Sequence, residues 1–158
     1  MHESHAREIA DEWQGLHEGD AAKQAAGLVD WLLQALAGLP EDSAWCSGEA
    51  EEGGTRPLVL IAGRNLWRIA AVSGDGGRVD SEQYPVLPGF CHLVSSLSGD
   101  ADSGAWTRRY HLEIGLPGGT SDVVEFVGRE VVSESGREER GPDRGETLAR
   151  RLVAALRA

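Results

Sequence analysis

Arginine is the residue type in this sequence whose spacing could hold an anion. Arg64 and Arg68 lie in one predicted β-hairpin, and Arg108 and Arg109 begin another. Because a guanidinium group binds carboxylate or phosphate through paired hydrogen bonds, neighbouring hairpins would bring these side chains together at one end of a sheet. Trp106 stands beside Arg108 and would add an aromatic anchor. The pattern predicts a site for an acidic peptide or a phosphate, and the alternative is scattered solubilising charge.

Motifs for catalysis or metal binding are not recognised in the sequence. Cys91 and His92 are a nucleophile next to a base, but adjacent residues of a strand point to opposite faces. His2 and His5 have helical metal-ligand spacing, and we interpret them as part of the chain terminus. The sequence contains neither a phosphate-binding glycine motif nor a nucleophile elbow. We therefore expect no enzyme activity, no metal and no cofactor.

Charge is distributed unevenly along the 158 residues, whose formal net charge is −11. Residues 1–54 hold twelve acids against two basic residues, whereas residues 55–158 hold fourteen acids against thirteen arginines. Since nucleic acids and anionic membranes attract cationic surfaces, we expect this chain to bind neither. No apolar run approaches the ~20 residues that cross a bilayer. The absence of a secretory signal pattern and the presence of only two cysteines predict a cytoplasmic location.

Helical periodicity predicts an acidic helical pair in residues 1–40. Apolar residues recur at helical spacing in residues 4–16 and again from Ala21 to Ala37, after which Gly38 and Pro40 end the pattern. The second apolar stripe is so wide that another element must cover it. We expect the pair to pack on or beside the sheet, and the alternative is a homodimer through these helices.

Alternating and β-branched runs predict a sheet in residues 57–158, after an acidic linker at 41–56 that contains one candidate strand. In the clearest segment, Tyr110, Leu112 and Ile114 alternate with polar residues before a Pro-Gly-Gly turn. A final amphipathic helix follows, with Asp143 at its predicted N-cap. The predicted strands are Ser43 to Cys46, Leu58 to Ala62, Leu66 to Val72, Ser81 to Val86, and the hairpin between Thr107 and Val127.

The segment from Pro88 to Ser98 has two interpretations. Phe90, Leu93, Val94 and Leu97 fit helical spacing, whereas residues 91–96 also suit a strand. We prefer the strand, and the helix stays open as the alternative.

From Leu58 onward the order of elements resembles that of bacterial pleckstrin-homology-like domains. Their chains run as an apolar strand, an arginine-bearing turn, a tyrosine-proline strand, a long hairpin and a closing helix. The matching stretches lie in a region that is about two-thirds of the chain: Leu58 to Arg68, Gln83 to Leu87, His111 to Gly119, and Glu146 to Leu156. The resemblance implies an α+β fold in which a bent antiparallel barrel or sheet is closed by the C-terminal helix. The N-terminal helical pair is an extension that the family does not require.

The resemblance implies a non-enzymatic module for protein or peptide interaction or for scaffolding. Members that bind phosphoinositides carry basic residues in the loop after the first strand, but here that loop is the acidic Glu49 to Glu52. Strong phosphoinositide binding is therefore not expected, and an extended peptide at a sheet edge or groove is the expected partner. The chain also resembles small acidic secretion-chaperone-like dimers that hold a client segment. This second resemblance requires that Pro88 to Ser98 be helical.

Overall fold

The computed structural model describes residues 1–50, 54–72, 77–102, 104–132 and 143–157, with backbone alone for 130–132. Two helices come first, then the strands, then one closing helix. The elements are α1 (Glu3–Gly15), α2 (Gly19–Ala37), β1 (Ala44–Ser47), β2 (Leu58–Ala62), β3 (Asn65–Val72), β4 (Arg78–Pro85), β5 (Cys91–Gly99), β6 (Ala105–Gly115), β7 (Ser121–Val132) and α3 (Arg144–Arg157).

The described strands form two antiparallel sheets, in the orders β1-β2-β3-β4 and β5-β6-β7. This arrangement confirms the predicted α+β class with antiparallel strands and a C-terminal helix. Within the described residues the strands form a bent, open arrangement and do not close into a barrel. Of the acidic loop from Glu49 to Glu52, residues 51 and 52 lie outside the described part of the chain.

Strand β2 of the four-stranded sheet is buried on both faces. Leu58 and Leu60 belong to a core with α1 and α2, whereas Val59 and Ile61 belong to a second core with the three-stranded sheet and α3. Successive side chains of a strand point to opposite faces, so a strand buried on both faces is apolar throughout. The helical pair therefore packs on the outer face of this sheet.

Helix α3 covers the gap between the sheets where β1 approaches β7. Its Leu148 and Leu152 are fully buried in the second core. Asp143 caps the helix, because its Oδ1 accepts a hydrogen bond from the Glu146 amide at 3.1 Å. In the first turn, a Cβ added to Gly145 would lie 2.5 Å from the carbonyl oxygen of Val127. The close approach of α3 to β7 thus depends on glycine at this position.

Tyr84 joins the two sheets at another point. Its hydroxyl lies 2.5 Å from Asp122 Oδ2 of β7 and 2.8 Å from Glu82 Oε2 of its own strand. Burial raises the pKa of Tyr84, and the hydrogen bonds to the two carboxylates raise it further. The hydroxyl therefore keeps its proton and donates it, which ties β4 to the start of β7.

The segment with two interpretations is a strand, since β5 spans Cys91–Gly99 and pairs with β6 along its length. The helical alternative for Pro88 to Ser98 is wrong. The element order of the secretion-chaperone-like proteins needs that helix, so this chain departs from their order. Phe90, Val94 and Leu97 recur at helical spacing, but all three side chains are exposed, so this spacing does not mark the buried face of a helix.

His17 connects the end of α1 to the segment that leads into β2. Its buried ring accepts a hydrogen bond at Nε2 from the Arg56 amide at 2.9 Å, and its Nδ1 lies 3.4 Å from the Gln14 carbonyl oxygen. Since a ring nitrogen that accepts cannot carry a proton, the neutral ring is the form that fits. Burial lowers the pKa of His17 below 6.5.

We expect acid to destabilise the protein through His17. Because its pKa is lower in the folded chain, the unfolded chain takes up the proton first, so stability is lost as pH falls below 6.5. Urea unfolding between pH 7.5 and 5 should show this loss, and His17→Gln should flatten it. The matched control is His92→Gln, which removes an exposed histidine. If the free energy of unfolding decreased equally with pH in wild type and His17→Gln, this would contradict the assignment of the loss to His17.

Candidate sheet-edge binding site

The structure places three of the five predicted site residues on a single strand. Trp106, Arg108 and Arg109 lie in β6, next to the edge strand β5. Arg64 lies in the turn between β2 and β3, and its carbonyl oxygen accepts a hydrogen bond from the Val86 amide at 2.8 Å. Arg68 lies in β3. The predicted residues are thus divided between the two sheets.

The arginines also differ in their partners. Arg68 lies 3.9 Å from a Glu82 carboxylate oxygen, and Arg109 forms an ion pair with Glu49. Arg109 also donates a hydrogen bond from Nε to Ser98 Oγ at 2.7 Å. Because two of these arginines are matched with acids of the chain itself, the predicted anion site made of all five residues stays a prediction.

Arg108 and Arg109 point to opposite faces of the three-stranded sheet, since they are neighbours on a strand. Arg108 shares its alternation with Tyr110 and Leu112, whose side chains are buried on the inner face. Burial raises the pKa of Tyr110, and the positive charge of Arg108 opposes that rise. Arg109 lies on the outer face with His111.

Strand β5 is the edge of its sheet. It pairs with β6 in one continuous register, from Cys91 opposite Ile114 to Gly99 opposite Trp106. Among the described residues, no strand pairs with β5 on its other side. An edge strand presents a row of unpaired backbone groups to any extended chain that reaches it.

The hydrogen bonds at both ends of β5 show which residues face the open edge. The Gly115 amide donates to the Phe90 carbonyl at 2.7 Å, and the Asp100 amide donates to the Ala105 carbonyl at 3.0 Å. In an antiparallel ladder, bonded and non-bonded pairs alternate, so the even-numbered residues bond to β6. The amides and carbonyls of Leu93, Ser95 and Leu97 therefore point away from β6, toward the open edge.

Strand β4, an edge of the four-stranded sheet, has a different composition. Three of its side chains are charged, Arg78, Asp80 and Glu82, and its last residue is Pro85. Charges and proline are the usual means by which natural sheets prevent edge-to-edge pairing. Strand β5 has no charged residue and no proline in nine positions. Within one molecule, β4 is protected against pairing and β5 is not.

An apolar surface continues from the β5 edge onto the inner face of the sheet. Leu97 is 58% exposed and Trp106 is 36% exposed, and both belong to the alternation that points inward. Gly99, directly opposite Trp106, leaves no room for a side chain against the backbone of Ala105 and Trp106. An extended peptide beside β5 would therefore meet Leu97 and the Trp106 indole without obstruction from Gly99.

The cleft beside the Cys46 thiol offers no comparable chemistry. A space of about 460 Å³ lies between α1, β1, β7 and the start of α3. Arg144 occupies its wall, with its guanidinium 4.1 Å from the Trp45 ring centroid and 2.6 Å from a Glu12 oxygen. Burial raises the pKa of the Cys46 thiol to about 12, and the thiol donates to the Val127 carbonyl at 3.0 Å. A thiol held this way is a poor nucleophile.

The described residues hold no group of three or more His, Cys, Asp or Glu side chains suited to a metal ion. None of the described helices combines the length and apolar character needed to cross a bilayer.

Sequence reasoning did not find Leu93, Ser95 and Leu97 as candidate binding residues. A usable signal was present, because residues 91–99 contain neither a charged residue nor proline, whereas residues 78–85 contain both. That signal becomes informative only when the strand order is known, since an uncharged strand in the middle of a sheet is ordinary.

Comparison with known proteins assigns neither a family nor a function to this site. A scan against models of protein families and a search of curated proteins found no match to the chain.

Proposed function

We propose that this protein is a non-enzymatic interaction module that binds an extended peptide segment of another protein as an additional strand on β5. One observation carries the proposal: β5 is an unprotected edge, whereas β4 of the same molecule is protected by charges and proline. Main-chain hydrogen bonds from a sheet edge supply affinity in this mode of recognition, and side-chain contacts supply specificity. The chemistry expected of the partner is an uncharged or weakly charged segment in extended conformation.

We further propose that the module is of the pleckstrin-homology-like type and acts in the cytoplasm. The bent, open arrangement of antiparallel strands followed by a closing helix supports this proposal, because the resemblance implies a sheet closed in this way. The acidic residues Glu49 to Glu52 after β1 support a protein partner over a phosphoinositide headgroup.

The proposal is tested by proline substitution in the edge strands β5 and β4. Ser95→Pro removes an amide that faces the open edge of β5 but leaves the bonds to β6 in place. The probe is a nine-residue peptide selected on the wild-type protein from a random phage-displayed library. We expect Ser95→Pro to weaken its binding at least tenfold, roughly the loss of one to two backbone hydrogen bonds.

The matched control is Ser81→Pro on β4. The Val86 amide donates to the Arg64 carbonyl, so even-numbered residues of β4 bond to β3, and the backbone of Ser81 faces the unpaired side of β4. We expect this variant to bind the peptide as wild type does. A selection that yields no peptide, or a peptide weakened by Ser81→Pro and not by Ser95→Pro, would contradict the proposal. A stable dimer lost in Ser95→Pro would show that a second copy of the chain occupies the edge.

A further inference from the structure

On the inner face of strands β5 and β6, both of which the structure describes in full, Arg108 is the one positively charged residue, and it lies next to an apolar surface. Arg108 lies directly opposite Leu97, and Trp106 is its neighbour two positions earlier on β6. The residues of β5 that flank Leu97 on this face are Ser95 and Gly99, which are small. A long arginine side chain can therefore extend past them toward a strand added at the open edge.

Two acids at the start of α3, Asp143 and Glu146, have partners within that helix. Asp143 and Glu146 both act on the pKa of Tyr110, as Arg108 does. Asp143 caps α3 through the Glu146 amide, and the Glu146 carboxylate forms an ion pair with Arg150. Both carboxylates therefore interact with groups of α3 itself.

The neighbouring Arg109 differs in both face and partners. It lies on the outer face, where Glu49 and Ser98 already hold its guanidinium. A ligand carboxylate on that face would have to displace Glu49. The two adjacent arginines are therefore unequal as ligand contacts, although the sequence alone treats them alike.

We infer that the peptide strand accepted by β5 carries a carboxylate side chain on the face of Arg108, next to an apolar side chain that packs on Leu97 and Trp106. This inference rests on the proposed function and adds the side-chain chemistry of the partner. An acidic residue binds arginine through charge-assisted hydrogen bonds, which strengthen at a partly buried surface. The adjacent apolar residue removes Leu97 from water.

The test uses synthetic nine-residue peptides of alternating valine and threonine. Each position in turn carries glutamate or lysine, and the affinity of each pair is measured on the full chain. At every second position, where the side chain lies on the face of Arg108, we expect the glutamate peptide to bind about tenfold more tightly than the lysine peptide. That preference should disappear in Arg108→Gln and persist in Arg109→Gln, which is the matched control. Added salt should reduce it, because an exposed ion pair is screened.

The outcomes separate this inference from the function on which it rests. If none of the peptides binds the wild-type protein, both the proposed function and the inference fail. If the peptides bind but glutamate and lysine are equivalent at every position, only the inference fails. A preference that Arg109→Gln removes and Arg108→Gln retains would also overturn the inference, and it would assign the contact to the outer face.

Discussion

Ile114→Asp is expected to abolish folding. Ile114 is 2% exposed in the core between the sheets, and its neighbour across the strand on β7 is Asp122. The variant would place an unpaired carboxylate among apolar side chains and beside an existing negative charge. Such a change costs about 5 kcal/mol or more, comparable to the whole stability of a small domain. Circular dichroism should show loss of strand structure, and urea unfolding should show no cooperative transition.

The control is Val94→Asp, which makes the same kind of change at an exposed position. Val94 lies on β5 opposite His111, on the outer face. We expect Val94→Asp to lower the free energy of unfolding by at most about 1 kcal/mol. Comparable stability of the two variants would mean that the inner and outer faces of the three-stranded sheet are misassigned.

Gly145→Ala is expected to displace α3 from the gap between the sheets. The added methyl group would meet the Val127 carbonyl oxygen at 2.5 Å and the Gly128 amide nitrogen at 2.7 Å, both of which are backbone atoms. Because neither can rotate away, the first turn of α3 must shift, at a cost of about 3 kcal/mol. Urea unfolding should show this loss, and binding of a hydrophobic dye should report exposure of the Leu148 and Leu152 side chains.

Gly27→Ala provides the matched comparison in α2. A Cβ at Gly27 would have no neighbour within 4 Å, and the residue lies in the helix interior. Alanine there should raise stability by about 0.5–1 kcal/mol, since glycine loses more backbone freedom on folding. If Gly145→Ala were as harmless as Gly27→Ala, α3 would not pack on β7 as described.

The sequence was most informative where one face of an element is fully buried. Tyr110, Leu112 and Ile114 alternate because the inner face of β6 lies on a continuous core, and the predicted hairpin is confirmed. The predicted cap at Asp143 is confirmed for a similar reason, because the bond to the Glu146 amide is local. In both cases the structural cause involves residues close together in the chain, so it produces a recognisable local pattern in the sequence.

The sequence pattern of strand β5 is weaker because neither face of this strand is fully buried. Leu93 packs against the core, whereas Val94 and Leu97 are exposed, so apolar side chains occur on both faces. With no single buried face, the alternation that marks a half-buried strand is absent. The same lack of pattern explains why Pro88 to Ser98 fitted helical spacing equally well.

The candidate site was only partly predictable, for geometric reasons. Trp106 and Arg108 could be named from residue type, but their position beside an open edge depends on the order of strands in the sheet. The separation of Arg108 from Arg109 follows from alternation. The ion pair of Arg109 with Glu49, however, joins residues sixty positions apart in the chain, and sequence pattern alone cannot place such pairs.

Residue-resolved hydrogen exchange of the β5 amides, without and with the phage-selected peptide, tests strand addition most directly. In the free protein, the amides of Leu93, Ser95 and Leu97 should exchange rapidly, and those of Val94 and Ser96 slowly, because only the latter bond to β6. The peptide should slow exchange at Leu93, Ser95 and Leu97. Unchanged exchange at these three amides, with slowing at β4 or α2 instead, would contradict the proposal that β5 accepts the partner.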